Sequence, residues 1–423
     1  MSVPGGNDLV LAHGIGSVEG LPLDGELVLQ TGGVVVLVSF LAVALLWRHP
    51  RFGGPVRGRP LPAAVERTLD APALRWVVRL LVLLVAAGIV VIGFVGPQDP
   101  DDNPAPRALY VLLWVGIVPA SLLLGPVWRV LNPLRALHRL VAVALRVPPE
   151  GTAQLPARLG YRPAAVGLVV FTWLELVVPV RDSPAVVAAF LLLYAVVHTA
   201  AAVRFGSGWF DRADAFEAYS TLTGALAPVG RLDDGRLGWR NPLRGLAAVT
   251  VAPGLVALLA VWWGSTVFDG VSGWVGWSSV RQSVPVPGVL LDSVVLLGLM
   301  VLVGAAYRVA TGSLAGALAG TLIPIAAGYT LAHYATLLLV EGPRGLSQFA
   351  GAQLGAVTSV PAPGLIAGIQ IGAILLGHVV AVVAAHDRSV ALLPEHRRLA
   401  DQIPLVLLMV AYTMVGLFLL VIS

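Results

Sequence analysis

The chain has 423 residues, of which 57% are hydrophobic and only 12% are charged, and its mean hydropathy is +0.86. A soluble globular chain carries about twice that share of charged residues, so the composition predicts a protein embedded in a lipid bilayer. The net charge is +4, and the chain contains neither lysine nor cysteine. These absences exclude disulfides, thiol catalysis, cysteine-ligated zinc and phosphate-binding loops that depend on lysine.

Long apolar runs follow one another from residue 31 to the end of the chain. A helix needs about 20 mostly apolar residues to cross the hydrocarbon core of a bilayer. We therefore predict an all-α, polytopic transmembrane bundle, with residues 31–423 as one transmembrane domain and residues 1–30 as an extracytoplasmic segment. The ten predicted spans are 31–47, 74–95, 108–128, 163–179, 185–203, 246–265, 286–307, 318–340, 363–385 and 404–422.

The arginines between these spans predict the orientation of the bundle. All 27 basic side chains are arginine, and 23 of them fall in loops on one side. The other side holds Arg107, Arg181, Arg281 and Arg344. Cytoplasmic loops carry the excess of positive charge, so we expect both termini outside. The use of arginine without lysine and the abundance of alanine, valine and glycine indicate a GC-rich bacterial genome, so we expect a multi-pass protein of a bacterial plasma membrane. A basic inner face also accounts for the net charge, so we expect no nucleic-acid partner.

Three segments of the predicted cytoplasmic loops have recognisable patterns. Residues 208–228 place apolar side chains at helical spacing and acidic side chains between them, which predicts an amphipathic helix lying on the inner membrane surface. Packing against the bundle as ordinary cover is the alternative. The sequences WRVLNPLR (128–135) and WRNPLR (239–244) resemble each other, which indicates two similar interfacial corners or the remnant of a duplication.

Ionisable residues within the predicted spans are the candidates for function, because each costs roughly 2.5–3.5 kcal/mol to insert at mid-bilayer. Counting along the helices at ~1.5 Å per residue places Glu175, Asp292 and His333 in the outer third of the membrane, and His198 and His378 in the inner third. His386 follows at the cytoplasmic end of its span, where we expect it to be solvated.

These two layers predict two kinds of site. Glu175, Asp292 and His333 form a set of oxygen and nitrogen ligands for a divalent metal ion, zinc or copper, with Glu175 and His333 as catalytic groups beside a metal-activated water. His198 and His378 are candidate axial ligands of a haem b. Alternatively, all of these groups form a proton relay, or each histidine simply bonds to a neighbouring helix and Asp292 is hydrated near the interface.

The chain also resembles a family of actinobacterial polytopic membrane proteins that are often labelled fenitrothion hydrolase. The resemblance covers nearly the whole chain and rests on FTWLELVVP (171–179), FDRADAF (210–216), GYTLAHYATLLL (328–339), LLGHVVAVVAAHD (375–387) and QIPLVLLMVAYTMVGLFLL (402–420). It implies cleavage of an apolar organophosphate, with Glu175, His333 and His378 as residues of interest. In that family Ala-His-Gly follows a signal peptide, so His13 would be exposed as a copper ligand, but residues 1–12 lack the pattern of a signal peptide.

The first hypothesis is therefore a membrane protein with a His/carboxylate metal site that hydrolyses an apolar substrate. The second is a transporter in which the same groups bind an ion or a proton, and the third is a haem-binding membrane subunit. The expected partners are the lipid bilayer and a small apolar molecule or an ion, and a partner subunit or homo-oligomer stays open.

Overall fold

The computed structural model describes residues 25–350, 362–394 and 400–422, and His13 lies outside them. Nearly all regular structure in these residues is helical. In chain order the α-helices are α1 (Gly25–Leu46), α2 (Ala63–Asp70), α3 (Pro72–Val95), α4 (Pro104–Pro106), α5 (Ile117–Leu124), α6 (Val127–Leu131), α7 (Pro133–Leu145), α8 (Arg162–Leu176), α9 (Pro184–Phe205), α10 (Phe210–Ala213), α11 (Ala215–Gly224), α12 (Pro242–Ala247), α13 (Leu255–Gly273), α14 (Val275–Ser283), α15 (Gly288–Thr311), α16 (Ala315–Leu318), α17 (Ile323–His333), α18 (Ala335–Ala350), α19 (Pro363–Leu392) and α20 (Ile403–Ile422).

Other helical turns and a small sheet complete the fold. A π-helix covers Arg107–Val115, and 3₁₀ turns cover Ser207–Trp209, Gly312–Leu314, Ala319–Leu322 and Ala400–Gln402. Three short strands, β1 (Gly58–Pro60), β2 (Val229–Arg231) and β3 (Leu237–Arg240), form an antiparallel sheet in the order β1-β3-β2. The sheet joins two loops that the arginine pattern assigns to the cytoplasm.

The helices confirm the prediction of an all-α protein with segments long enough for a membrane. Eight stretches of the described residues are long and apolar enough to cross a bilayer. One of them, Gly288–His333, covers the seventh predicted span and part of the eighth. The fourth predicted span corresponds to α8, which has 15 residues. The count of ten spans and the outside location of both termini stay predictions.

The sixth span begins later than its hydropathy indicates. The predicted range was 246–265, whereas α13 runs from Leu255 to Gly273. Pro253 has no N–H to continue a helix from α12, and Gly254 adopts a left-handed φ of +86° directly before α13. The shift extends the helix by eight residues at its far end and brings Asp269 into the bundle.

The segment 208–228 packs inside the protein instead of lying flat on its surface. It is divided between the turn at Ser207, α10 and α11, and Asp214 and Glu217 are as fully buried as Phe216. The second alternative, cover that packs against the bundle, describes the segment in the structure. The acidic face that suggested contact with water is turned to polar partners within the protein.

The core is centred on α13, which contacts α8, α15, α17 and α20. Its Trp262 and Phe268 are almost completely buried. The pair α17 and α19 packs still more closely, because a Cβ built on Gly328 would lie 2.4 Å from the carbonyl oxygen of Ala373. Small residues allow such backbone contact between membrane helices, and the pair holds His333 and His378 in a defined relation.

Candidate functional site

A carboxylate, an imidazole and a phenol meet in the interior of the bundle. The Oδ2 atom of Asp269 on α13 lies 2.8 Å from Nε2 of His333 at the end of α17, and it accepts a 2.6 Å hydrogen bond from the hydroxyl of Tyr334. The side chains of Asp269 and His333 are 5% and 9% exposed. Together with Glu175, we call these residues the Asp269 cluster.

Glu175 supplies the second carboxylate of the cluster. It lies near the end of α8 and is 9% exposed, and its Oε2 atom has no hydrogen-bond partner among the described residues. Its charge interacts electrostatically with Asp269, Arg181 and Tyr334. A buried oxygen of this kind is costly unless it is protonated or bound, so Glu175 is the group in the cluster with unused binding capacity.

Aromatic rings enclose the cluster. Trp114 stacks on Tyr219 at 4.7 Å between ring centroids and lies 4.9 Å from Phe171, which precedes Glu175 by one turn on α8. On the other side the ring of Tyr329 stacks on His333 with a centroid distance of 5.8 Å. Asp269 and Glu175 are only 4% and 9% exposed, and the low dielectric of a buried site strengthens the electrostatic interactions within it.

The π-helix positions one wall of the site. It contributes Trp114 at its inner end and Arg107 at its start, and Arg107 donates a 2.9 Å hydrogen bond to Glu341 on α18. Glu341 also accepts a 2.5 Å bond from Arg344. This ion-pair group joins α18 to the π-helix next to the cluster. π-helices are rare and are frequent at functional sites.

Asp292, which was grouped with His333 from the sequence, contacts Arg281 and Trp277 instead. Its Oδ2 atom pairs with Arg281 at 3.1 Å, and its Oδ1 atom accepts a 3.2 Å bond from Nε1 of Trp277. Both partners lie on α14, the short helix before α15. The metal set predicted from sequence was Glu175, Asp292 and His333, and in the structure Asp269 is the carboxylate that contacts His333.

The two histidines predicted as haem ligands pack against different helices. Nδ1 of His198 accepts a 3.0 Å bond from Nε1 of Trp209, and its ring lies 4.1 Å from that of Tyr194 on the same helix. Nδ1 of His378 lies 2.8 Å from the carbonyl oxygen of Ile374. Helix α9 contacts α3 and α7, whereas α19 contacts α1, α17 and α20, and haem binding by this pair of histidines stays a prediction.

His386 is buried, although the sequence suggested a solvated residue. It is 3% exposed, with Nδ1 at 2.8 Å from Oε1 of Gln402 and Nε2 at 3.0 Å from the carbonyl oxygen of Trp47. The adjacent Asp387 accepts bonds from Nε1 of Trp47 and from the backbone N–H groups of Arg51 and Phe52. The His-Asp pair thus attaches the end of α19 to the loop after α1.

The structure does not establish the metal centre predicted from Glu175, Asp292 and His333. In the described ranges 25–350, 362–394 and 400–422, no three His, Asp or Glu side chains are grouped so that they could hold a metal ion. Asp269 and His333 use the atoms that face each other for their mutual bond. The metal site therefore stays a prediction, and we derive no step through a metal.

A second cluster of polar side chains, which we call the Glu217 network, is joined by hydrogen bonds throughout. Its members are Asn132, Arg135, Asp211, Asp214 and Glu217. Asn132 donates to Asp214 at 2.8 Å and to Glu217 at 2.9 Å, and Arg135 binds both oxygens of Glu217 and also Asp211. Asn132 and Asn241 each accept a 2.9 Å bond from the N–H two residues later, at the starts of α7 and α12. The two similar sequences are thus two Asn-Pro helix caps.

Sequence reasoning identified Glu175 and His333 but missed Asp269 and Tyr334. Asp269 lay four residues beyond the predicted end of its span, and the signal that could have found it is the Pro253-Gly254 break before α13.

Comparison of the chain with protein-family models, with curated proteins and with solved structures finds no match.

Proposed function

We propose that this protein transports protons across the membrane and that the Asp269 cluster is its proton-binding site. The observation that carries the proposal is the unpartnered Oε2 atom of Glu175, buried within electrostatic range of Asp269. Ionisable groups in membrane helices generally mark ion or proton pathways. The arginine pattern supports the orientation of the bundle, and the arginine-only, alanine-rich composition supports a bacterial plasma membrane as the location.

The chemistry of the cluster suits reversible binding of a proton. Two carboxylates within electrostatic range of each other in a buried site favour the binding of one proton, because two like charges repel each other. His333 and Tyr334 both hold Asp269 in place. A proton that arrives at Glu175 forms one O–H bond and neutralises one carboxylate, and its departure breaks the same bond and restores the charge.

Such a change of charge can drive a conformational change. A charged Glu175 requires water or a cation, whereas a neutral Glu175 is compatible with the closed aromatic enclosure of Trp114 and Phe171. Protonation therefore favours a closed arrangement and deprotonation an open one, and a transporter needs such a difference between two states to bind a proton on one side and release it on the other.

The test uses purified protein in liposomes that contain a pH-sensitive dye. A potassium diffusion potential, negative inside, should drive proton entry faster than in empty liposomes. Asp269→Asn and Glu175→Gln should each reduce this entry on the order of 10²-fold, the range typical for removal of a proton-transfer group. The matched control is Asp233→Asn, an exposed carboxylate in the loop between β2 and β3.

Asp292→Asn separates this proposal from the metal site predicted from sequence. Because Asp292 pairs with Arg281 on α14, its replacement should leave proton entry near the wild-type rate. Wild-type entry equal to that of empty liposomes would contradict the proposal. Unchanged entry in both Asp269→Asn and Glu175→Gln would also contradict it.

A second candidate function is hydrolysis of an organophosphate, favoured by the resemblance of GYTLAHYATLLL, which includes His333 and Tyr334 of the cluster. This candidate requires a stoichiometric metal ion in the purified protein and its loss in His333→Ala. Haem binding by His198 and His378 is a third proposal, and it requires a Soret absorbance band in the purified protein.

A further inference from the structure

A buried imidazole outside the Asp269 cluster has an unused nitrogen. His378 on α19 is 1% exposed, and its Nδ1 atom faces the carbonyl oxygen of Ile374 at 2.8 Å. A carbonyl only accepts hydrogen bonds, so Nδ1 carries the ring proton and Nε2 carries the lone pair. Within the described residues no donor reaches Nε2. A buried acceptor without a partner is uncommon and needs an explanation.

The position of His378 along the bundle suggests that explanation. A Cβ on Gly328 would approach the carbonyl oxygen of Ala373, and a Cβ on Gly377 would lie 2.5 Å from the carbonyl oxygen of Pro324. Helices α17 and α19 therefore run antiparallel, and residues 324–328 of α17 lie at the same level along the bundle as residues 373–377 of α19. His333 is five to nine residues beyond that level on α17, which corresponds to about 8–13 Å along the helix axis.

His386 lies on the opposite side of His378. It follows His378 by eight residues on the same helix, a rise of about 12 Å. Its two nitrogens contact Gln402 and the backbone of Trp47, at the end of α1. His378 is thus the intermediate of three buried histidines that are arranged along the direction of α19, between the Asp269 cluster and the end that the arginine pattern assigns to the cytoplasm.

We infer that His378 is a proton-transfer residue between the Asp269 cluster and the His386 end of the bundle. The inference rests on the proposed function. Nε2 takes a proton from a water molecule on the side of the cluster while that water receives the proton of Glu175, so the O–H bond of Glu175 breaks, one N–H bond forms, and the product is an imidazolium. The same bond then breaks toward a water molecule on the side of His386. Nδ1–H keeps its bond to Ile374 throughout, and no electrons are transferred.

Water molecules must connect the three levels, because a proton moves along hydrogen bonds of about 2.8 Å. Gaps of about 8–13 Å correspond to a few water molecules each. A direct bond from Nε2 to a protein donor would block this transfer, and the unpartnered state of Nε2 keeps the lone pair available.

The experiment measures proton entry into liposomes as for the Asp269 cluster. His378→Gln keeps a side chain of similar size that cannot bind a proton at neutral pH, and it should reduce proton entry by at least about tenfold. The matched control is His138→Gln on α7, another buried histidine with a Nε2 atom that lacks a partner. It lies outside the pair α17 and α19, so proton entry should stay within about twofold of the wild type.

Chemical rescue separates proton transfer from a structural role. Imidazole added to His378→Ala should restore a measurable part of the proton entry, and it should have no effect on Asp269→Asn. Size-exclusion profiles of both His378 variants should match the wild type. If His378→Ala does not fold, His378→Gln alone decides the outcome.

The outcomes for this inference and for the proposed function are distinct. Loss of proton entry in Asp269→Asn together with normal entry in His378→Gln would overturn the inference and leave the proposed function intact. Loss of entry in His378→Ala without rescue by imidazole would assign His378 a structural role and also overturn the inference. Wild-type entry no faster than in empty liposomes would overturn both.

Discussion

The Glu217 network allows a quantitative prediction, because Arg135 and Arg129 are two nearby arginines with very different surroundings. The side chain of Arg135 is 11% exposed and binds Glu217, which is completely buried. The side chain of Arg129 is 54% exposed and reaches Asp211 at 3.2 Å. Both can be replaced by methionine, which keeps most of the length and removes the charge.

Arg135→Met leaves the charge of Glu217 buried, with Asn132 as the one remaining side-chain donor among the residues that the structure describes. Breaking a buried pair in this way costs about 3–5 kcal/mol. Arg129→Met removes an exposed pair and should cost about 0–1 kcal/mol. The double variant Arg135→Met/Glu217→Leu removes both charges, so it should recover most of the stability lost in the single variant.

The measurement is the free energy of unfolding of each variant in mixed detergent micelles, titrated with a denaturing detergent. The double-mutant cycle gives the coupling energy between Arg135 and Glu217, which we expect to be at least about 2 kcal/mol. A difference of less than about 1 kcal/mol between Arg135→Met and Arg129→Met would refute the argument, since burial would then have no effect on the strength of the pair.

Further predictions concern the pH dependence, the packing of helices and a loop. Burial lowers the pKa of His138 on α7 below its ordinary value of about 6.5. As the pH falls through that value, the unfolded chain binds more protons than the folded one, so the free energy of unfolding decreases toward pH 5. His138→Gln should reduce this dependence of the thermal unfolding midpoint on pH. An unchanged pH dependence would contradict burial of His138 as the cause. Gly377→Ala places a Cβ 2.5 Å from a backbone oxygen and should lower the free energy of unfolding by about 1–3 kcal/mol. Gly372→Ala on the same helix meets nothing within 4 Å, so it should be neutral or stabilising. Equal unfolding midpoints of the two variants would show that the close contact does not exist. Asp387→Ala removes the acceptor of the backbone N–H groups of Arg51 and Phe52. Hydrogen exchange at these two groups should become about 10- to 100-fold faster, equivalent to about 1.5–3 kcal/mol of local stability. Unchanged exchange would argue against these hydrogen bonds to Asp387.

The composition and the apolar runs were sufficient to predict an all-α membrane protein, because hydropathy is a local property that adds up along a segment. The cost of charge in the membrane also selected Glu175 and His333 as candidate residues without any structure. These conclusions needed only the identity of each residue and the length of the run that contains it.

Which groups contact each other was decided by the tertiary structure. Helix α13 begins at Leu255, directly after a proline and a left-handed glycine, which is nine residues beyond the start that hydropathy suggests. Because of this shift Asp269 lies within the helix and contacts His333. Asp292 meets Arg281 because α14 folds back beside the start of α15. Asp214 and Glu217 are buried because Asn132 and Arg135 reach them from another helix.

The physical reason is that the partner of a polar side chain depends on helix starts and on the register between helices. Both are determined by close packing at a few small residues, such as Gly328 and Gly377. A sequence specifies how costly an isolated charge is within the membrane. Only the packed structure determines which neighbour offsets that cost, and that Oε2 of Glu175 and Nε2 of His378 have no protein partner among the described residues.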